Sequence, residues 1–463
     1  ENVIVGRKAG YSLTNGLNNV LIGHEAGYYN TANNNTAVGY QAGYNNTTGT
    51  DLVAIGSGAA FNQTTSAGNI AVGQNALYSN TTGVGNTALG TQHTSVSNSC
   101  LYANTTGSYN TAVGTSAMRT NTTGSYNTAQ GYQALYSNTT ASYNTALGYQ
   151  AAYNNTTGSS LVALGSQALY ANTTGSNNIG VGGGALQSNT TGTNNVAIGS
   201  NALPFNTTAS NNTAVGYQAL YSTTTVGNNT ALGYQAGYSQ TTSNNIGANV
   251  YVGYQAGYAT TSEQNTFIGN AAGAANTTGK NQVFVGQAAG LSNTTGTNNV
   301  FIGQAAGRVV TTGSSNTFIG SGVLNTSDGS GSAVTTGSKN TIVGNYTGNQ
   351  GGLDIRTASN WIVLSDGDGN ARFFYNGTND FFYMPQTWVN TTASAANMFI
   401  GGSGELYRST SALKYKQNIR DLEEMDIGLL RPVRYKSKCA GDDQTKDHLG
   451  LIADEAAEAG FEE

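Results

Sequence analysis

The chain has 463 residues, of which 8% are charged, 64 are Gly and 3 are Pro, and its net charge is −5. An acidic balance without a basic stripe argues against a nucleic-acid partner, and no run of about 18 apolar residues is present to span a membrane as a helix. Two cysteines, Cys100 and Cys439, lie in different regions, which argues against an intrachain disulfide and is too few for a metal cluster; no metal or cofactor is expected.

From the first residues to about position 344 the chain repeats one motif, seen in full at Asn144-Thr145-Ala146-Leu147-Gly148-Tyr149-Gln150-Ala151. Its glycine recurs twenty times between Gly6 and Gly344, and sixteen of the nineteen steps are 16 or 17 residues. The other three, one of 20 and two of 24, fit small insertions that leave the register intact. The sequence opens at Glu1 inside a repeat, without a signal peptide or an initiator Met, as expected of a fragment or processed product. A period this short predicts a stacked array, an all-β parallel β-solenoid of about 20 rungs over residues 1–344.

Counting from that glycine as zero, position −1 is Val, Leu or Ile in every copy except Gln130, and position −3 is always Val, Ile or Thr. Alternation of this kind predicts short strands with the −3 and −1 side chains buried, and seventeen residues accommodate two short strands and two turns per rung. Rungs spaced by about 4.8 Å give a rod roughly 95 Å long. Position −4 is Asn in most copies, including Asn86, Asn144 and Asn316, placed to form amide ladders along the rod. A second block, Asn-Thr-Thr-Gly, begins at Asn104, Asn121, Asn155, Asn172, Asn189, Asn276 and Asn293 and supplies a turn. Each copy also matches a glycosylation sequon.

Position −2 is Ala in most copies up to Ala231 and then becomes Tyr251, Phe267, Phe284, Phe301 and Phe318. Five aromatics in consecutive rungs form either a seam between chains or a widened core, and the seam is the preferred reading because a core of small residues makes a single chain marginal. Residues 1–344 hold 11 charged side chains, with none between Arg119 and Glu263, whereas the last 119 residues hold 28. Almost no Asp or Glu is therefore available in the repeats for a carboxylate pair acting on polysaccharide.

The pattern N-[ST]-[VA]-[AV]-[VIL]-G-x-x-A resembles the head repeat of YadA-type trimeric adhesins and the shaft repeats of phage tail-fibre proteins. The resemblance covers about 340 residues and implies a homotrimeric rod outside a cell or on a virion, attaching to a cell-surface carbohydrate or receptor. A secreted bacterial trimeric adhesin is the alternative. An ice- or crystal-binding solenoid is a further one, disfavoured because adjacent threonines in Thr-Thr point to opposite faces.

Residues 345–408 lose the period. Asn360 to Tyr375 reads as a strand, an Asp-Gly turn and a second strand, and the aromatics Trp361, Phe373, Phe374, Tyr375, Phe381, Phe382, Tyr383 and Trp388 suit burial in a β-rich connector or knob. Residues 409–463 are charged and mixed α/β. A helix is expected over Asp421–Leu430, strands over 433–438 and 448–453, and a helix start over 454–459. Ser411-Ala412-Leu413-Lys414-Tyr415-Lys416-Gln417-Asn418-Ile419, then Leu-Arg-Pro-Val-Arg-Tyr, then Leu-Gly-Leu-Ile-Ala-Asp-Glu resemble, in order, the three blocks of the C-terminal intramolecular chaperone of endosialidase-type tail spikes. That resemblance implies a trimerising folding domain that cuts itself before the serine: Ser411 the nucleophile, Lys416 its general base, Thr410-Ser411 the scissile bond. The family's Asp after the serine is Ala412 here, and the chain ends at Glu463, before the later helices of such a domain.

Overall fold

The computed structural model describes residues 1–90, 99–241, 248–322 and 329–383, together with four strands at 398–400, 406–408, 433–435 and 448–450. The chain divides into two compact units, Glu1–Pro385 and Gln386–Glu463.

The first unit is an all-β parallel β-solenoid. Twenty strands of three residues, from β1 (Val3–Val5) to β20 (Thr341–Val343), each pair in parallel with the strand one rung on. Thr145↔Val162, Ala146↔Ala163 and Leu147↔Leu164 is a typical register. Each rung contributes one strand, not two. The rest of the coil is turns, and these also bond rung to rung: Leu135 N donates to Ala151 O at 2.9 Å and Thr122 N to Thr139 O at 2.9 Å. The backbone is thereby satisfied around the whole coil without a second strand. The register passes through all three long steps, with Thr87↔Thr111, Thr230↔Val250 and Thr317↔Thr341.

The repeat glycine is required by the corner it makes. At Gly148 φ is +137°, and a Cβ there would lie 2.6 Å from the carbonyl oxygen of Gly165 in the next rung. Both facts exclude an L side chain.

The strand faces are the reverse of the sequence expectation. In a three-residue strand on so tight a coil only the central residue points inward, so position −2 is buried and its neighbours −3 and −1 face out. Ala146, Ala163 and Ala214 are buried, while Leu147 and Leu232 are 46% and 48% exposed. The −2 aromatics are accordingly a widened core and not a seam. Tyr251, Phe267, Phe284, Phe301 and Phe318 are all 0% exposed, and the four phenylalanines stack at 4.8–5.0 Å between ring centres.

A second inward position compensates for the first. Where −2 is Ala, position +4 is commonly large, as in Ala129 with Leu135, Ala112 with Met118 and Ala214 with Leu220; where −2 is aromatic, the corner residue is Gly, as in Phe267 with Gly273, and in the longer step after Phe318 that place is taken by Gly331. A Cβ on Gly273 would lie 2.6 Å from Phe267 Cε2. In two rungs the filler comes from a third site: Leu52 takes the usual Asn position −4 beside Gly43, and Leu161 takes it beside Ala152.

Beyond β20 the ladder adds one more parallel strand, β23 (Trp361–Ser365), whose Val363 prolongs the buried −2 column. Between them lies a small antiparallel pair, β21 (Asn349–Gln350) with β22 (Leu353–Asp354). β23 then pairs antiparallel with β24 (Ala371–Asn376), and β24 with β25 (Phe381–Tyr383). The expected strand–turn–strand is therefore present. Asp366 holds its turn, accepting from Asn370 N at 2.9 Å and pairing with Arg372, contacts that bring its carboxyl down to about 2. Trp361, Phe373, Phe374, Tyr375 and Phe382 are half-buried and not enclosed, and Tyr383 is exposed: Trp361 and Tyr383 flank Phe374, and Phe373 meets Phe382 edge-on at 4.5 Å. Trp388 lies outside the described residues.

In the second unit β26 (Met398–Ile400) pairs antiparallel with β27 (Leu406–Arg408), and β28 (Val433–Tyr435) with β29 (His448–Gly450). The last two fall within the expected strand segments; the expected helices at 421–430 and 454–459 lie outside the described residues.

The size coupling across the core makes a prediction. Phe267→Ala alone should cost about 3–5 kcal/mol, and Gly273→Leu alone should also destabilise by collision with the ring. The double variant recreates the Ala129–Leu135 combination, in which Leu135 adopts φ +50° against +59° at Gly273. Thermal melting of the four proteins should show the double variant losing less than the sum of the singles; strict additivity would refute the coupling.

Candidate functional surfaces

Inside the solenoid run two columns of buried asparagine. The first is position −4. Asn110 accepts from the backbone and side-chain nitrogens of Asn127 at 3.0 and 3.1 Å, and donates from its own Nδ2 to Gly124 O at 2.8 Å. The second is the asparagine of Asn-Thr-Thr-Gly. Asn104, Asn121, Asn138, Asn155, Asn172, Asn189 and Asn206 form one chain of amide-to-amide bonds of 2.7–3.0 Å. Each also closes its own turn, as when Asn155 Nδ2 donates to Gly158 O at 2.9 Å. All seven are 0% exposed, so in the folded rod their amide nitrogens are spent on the ladder and closed to a glycan. The ladder stops where the residue changes: Thr223 follows Asn206, whose Oδ1 is left without a partner.

The threonines of the same block divide as the sequence suggests. Thr105 turns its hydroxyl to the backbone of the next rung, donating to Thr122 O at 3.1 Å, whereas Thr106 faces solvent. One hydroxyl column is thus bonded within the rod, and a paired Thr face does not form.

Outside, the −3 and −1 residues make a continuous apolar and threonine face along the parallel ladder. It runs on through Ile362 and Leu364, which are 41% and 42% exposed, to Phe373, Tyr375 and Phe382 on the same face of the terminal hairpin. Aromatic side chains also stack in columns from rung to rung. Tyr11, Tyr28, Tyr44, Phe61, Tyr78 and Tyr102 stack at 4.9–5.2 Å. The same column continues with Arg119, which lies 5.4 Å from the Tyr136 ring centre and donates to its hydroxyl at 3.0 Å. Partial burial raises Tyr78 and Tyr153 above the ordinary phenol range.

Cys100 occupies the inward corner position that is Ala in most rungs. Its Sγ donates to Ala112 O at 3.1 Å, and burial pushes the thiol up to about 12. Ser330 fills the same position in the other rung with a 24-residue step and donates in the same way to Ile342 O. Both are core residues by this geometry. His24 stacks on Tyr40 beside Glu25; His93 lies outside the described residues. Among the described residues no group of three or more His, Cys, Asp or Glu converges on a metal site, and no helix is long and apolar enough to cross a membrane. Thr410, Ser411 and Lys416 lie outside the described residues.

The buried ladder makes the second prediction. Asn155→Ala deprives Asn138 of a donor and Asn172 of an acceptor, each worth about 1–3 kcal/mol when desolvated, whereas the half-buried neighbour Asn154 is outside the column. Melting should fall by several degrees for Asn155→Ala and little for Asn154→Ala; equal melting would mean the ladder carries no stability. Neither a family model, nor a curated protein, nor a solved structure matches this chain, and its geometry describes it as a β-solenoid repeat protein of about twenty turns.

Proposed function

We propose that the chain is the shaft of a structural and adhesive fibre, a homotrimer acting outside a cell or on a virion and attaching to a surface carbohydrate or receptor. The observation that supports this is the outward apolar face of the ladder. An aliphatic side chain is worth about 60–120 Å² of burial. Two columns over twenty rungs, some exposed (Leu147 46%, Ile268 38%) and the rest half-buried, therefore leave on the order of 1,000 Å² of apolar and threonine surface open. The largest patch on a typical monomer is about 300–600 Å², and a stable interface takes about 800 Å² from each partner. The occupant is a second and third copy of the same face, since two rods with the same rung spacing meet in register along their whole length. This replaces the −2 column, which is core, as the seam between chains.

Sedimentation of the intact chain should give a trimer. Leu147→Lys with Leu232→Lys, both on the outward −1 column, should shift it toward monomer, while Thr106→Lys on the solvent corner should not. A monomeric unmodified chain would sink the reading.

The tail carries the second part of the proposal, a chaperone that trimerises and releases itself. Ser411 Oγ would attack the Thr410 carbonyl carbon while Lys416, neutral through desolvation in the assembled domain, takes the serine proton and passes it to the Ser411 nitrogen as the Thr410–Ser411 C–N bond breaks. Water would then hydrolyse the resulting Thr410 ester on Ser411 Oγ, leaving a Thr410 carboxylate and a free Ser411 hydroxyl and amine. On a denaturing gel the unmodified chain should release a fragment C-terminal to Thr410, and Ser411→Ala should abolish it; identical mobility of the two refutes self-cleavage.

A further inference from the structure

Two of the tyrosine columns have a geometry that the fibre reading does not use. Tyr109, Tyr126 and Tyr143 stand one rung apart at the corner before position −4, and Tyr217, Tyr234 and Tyr254 stand just after the repeat glycine. Within each column the rings are stacked face to face. Tyr126 and Tyr143 have centres 5.2 Å apart and planes within 1° of parallel, and Tyr234 and Tyr254 are 5.2 Å apart and 7° from parallel. Tyr109–Tyr126 and Tyr217–Tyr234 are at 5.2 and 5.4 Å. These six side chains are also open to reagents in solution, being between 43% and 62% exposed. The ladder fixes each ring beside the next in sequence by 17 or 20 residues, so a radical formed on one meets its neighbour at a very high effective concentration.

We propose that these two columns are sites of oxidative cross-linking between consecutive rungs, joined as dityrosine by a one-electron oxidant such as a peroxidase–hydrogen peroxide system. The chemistry balances. Each phenol gives up one electron to the oxidant and its phenolic proton to water, leaving two phenoxyl radicals. A carbon–carbon bond forms between the ring carbons ortho to the two oxygens. Each of those carbons then loses its hydrogen as a proton while a proton returns to the oxygen, restoring two phenols. The net loss is two electrons and two protons per link, and rotation of the rings about Cβ–Cγ, together with a tilt of the two side chains toward each other about Cα–Cβ, brings the ortho carbons together. A link of this kind fastens one rung to the next covalently, at the outer edge of a rod whose core is narrow. The proposal concerns single chains and does not depend on the trimer.

The test uses the full chain, folded, exposed to visible light with a ruthenium tris-bipyridyl sensitiser and persulfate as one-electron oxidant. Mass spectrometry of a peptic digest should show peptide pairs joined between Tyr126 and Tyr143 and between Tyr234 and Tyr254, each lighter by two hydrogens than the sum of its parts. Blue dityrosine fluorescence should accompany them. Tyr126→Phe keeps the ring in the stack but removes the phenol, and should bring links in its column to background while leaving those of Tyr217, Tyr234 and Tyr254 at the level of the unmodified chain. Oxidation in denaturant should lose the preference for these pairs. The proposal is overturned if links join only separate chains, if denatured and folded protein give the same pairs, or if Tyr126→Phe changes both columns alike.

Discussion

The shaft rests on buried amides whose oxygens are satisfied chiefly by the amide one rung away. Asn138 and Asn155 are enclosed, and a carboxamide so placed needs partners for both its oxygen and its nitrogen or it costs stability. The neighbour that supplies them is 17 residues along the chain. A slip of one residue between rungs would break every such pair at once and present Thr or Ala in place of Asn. The ladders therefore set register, and the strands, only three residues long, follow from it. Short strands of Val, Ala and Ile would otherwise pair as well one residue out of place, since nothing in a flat, repetitive edge distinguishes one register from the next.

Register fixed, the interior becomes a problem of filling a narrow tube of constant section. Each rung has room for one large side chain, and three positions can supply it. Leu135 fills it from the corner, Phe267 from the strand and Leu161 from the asparagine position. The choice at one site dictates Ala or Gly at the others, because interiors tolerate neither voids nor overlap. The change from corner-filled to strand-filled rungs falls between Ala231 and Tyr251. There the corner residue is already Gly237, whose added Cβ would meet the Tyr251 ring. Tyr251 brings a phenol into the core with its ring, and Gln240, standing in the Asn-Thr-Thr column, accepts its proton at 2.8 Å. A larger core residue is thus matched by a changed ladder residue, and the polar and apolar halves of the interior are chosen together.

This coupling explains which features were legible in the sequence. The period, the parallel stacking and the amide ladder at position −4 follow from spacing and residue type, because they involve identical residues repeated at one interval. The inward face does not follow from hydrophobic alternation. Val, Ile and Leu at −1 look like core and Ala at −2 looks like surface, yet the coil is so tight that its interior takes small residues and its aliphatics lie outside. The signal that identifies the inside lies in covariation along the chain: Gly at +4 appears with Phe267, Phe284 and Phe301 at −2, and Leu or Met commonly appears there when −2 is Ala, as at Leu135, Leu220 and Met118. Two residues that exchange volume must share a space. The asparagines of Asn-Thr-Thr-Gly are turn formers by residue type, as the structure has them, but their burial depends on the corner folding inward and has no mark in the local sequence.

The three long steps show the same logic from the other side. The extra residues enter either just after the repeat glycine, in the steps from Gly90 to Gly114 and from Gly320 to Gly344, or beyond the Asn-Thr-Thr position, in the step from Gly233 to Gly253. Neither place interrupts an inward column. Leu101 returns to the corner and bonds to Ala117, and Asn249 returns to the ladder and bonds to Asn229. Closing a few more residues of loop costs little, since the entropy grows only as the logarithm of length. Displacing one strand or one buried asparagine would instead leave two rungs with unpaired amides and a void. The array can therefore take extra residues between its inward columns while its interior stays fixed at one strand, one large side chain and the amide columns per rung. Variation confined in this way is what lets a repeat of seventeen residues carry different surfaces without losing its stack.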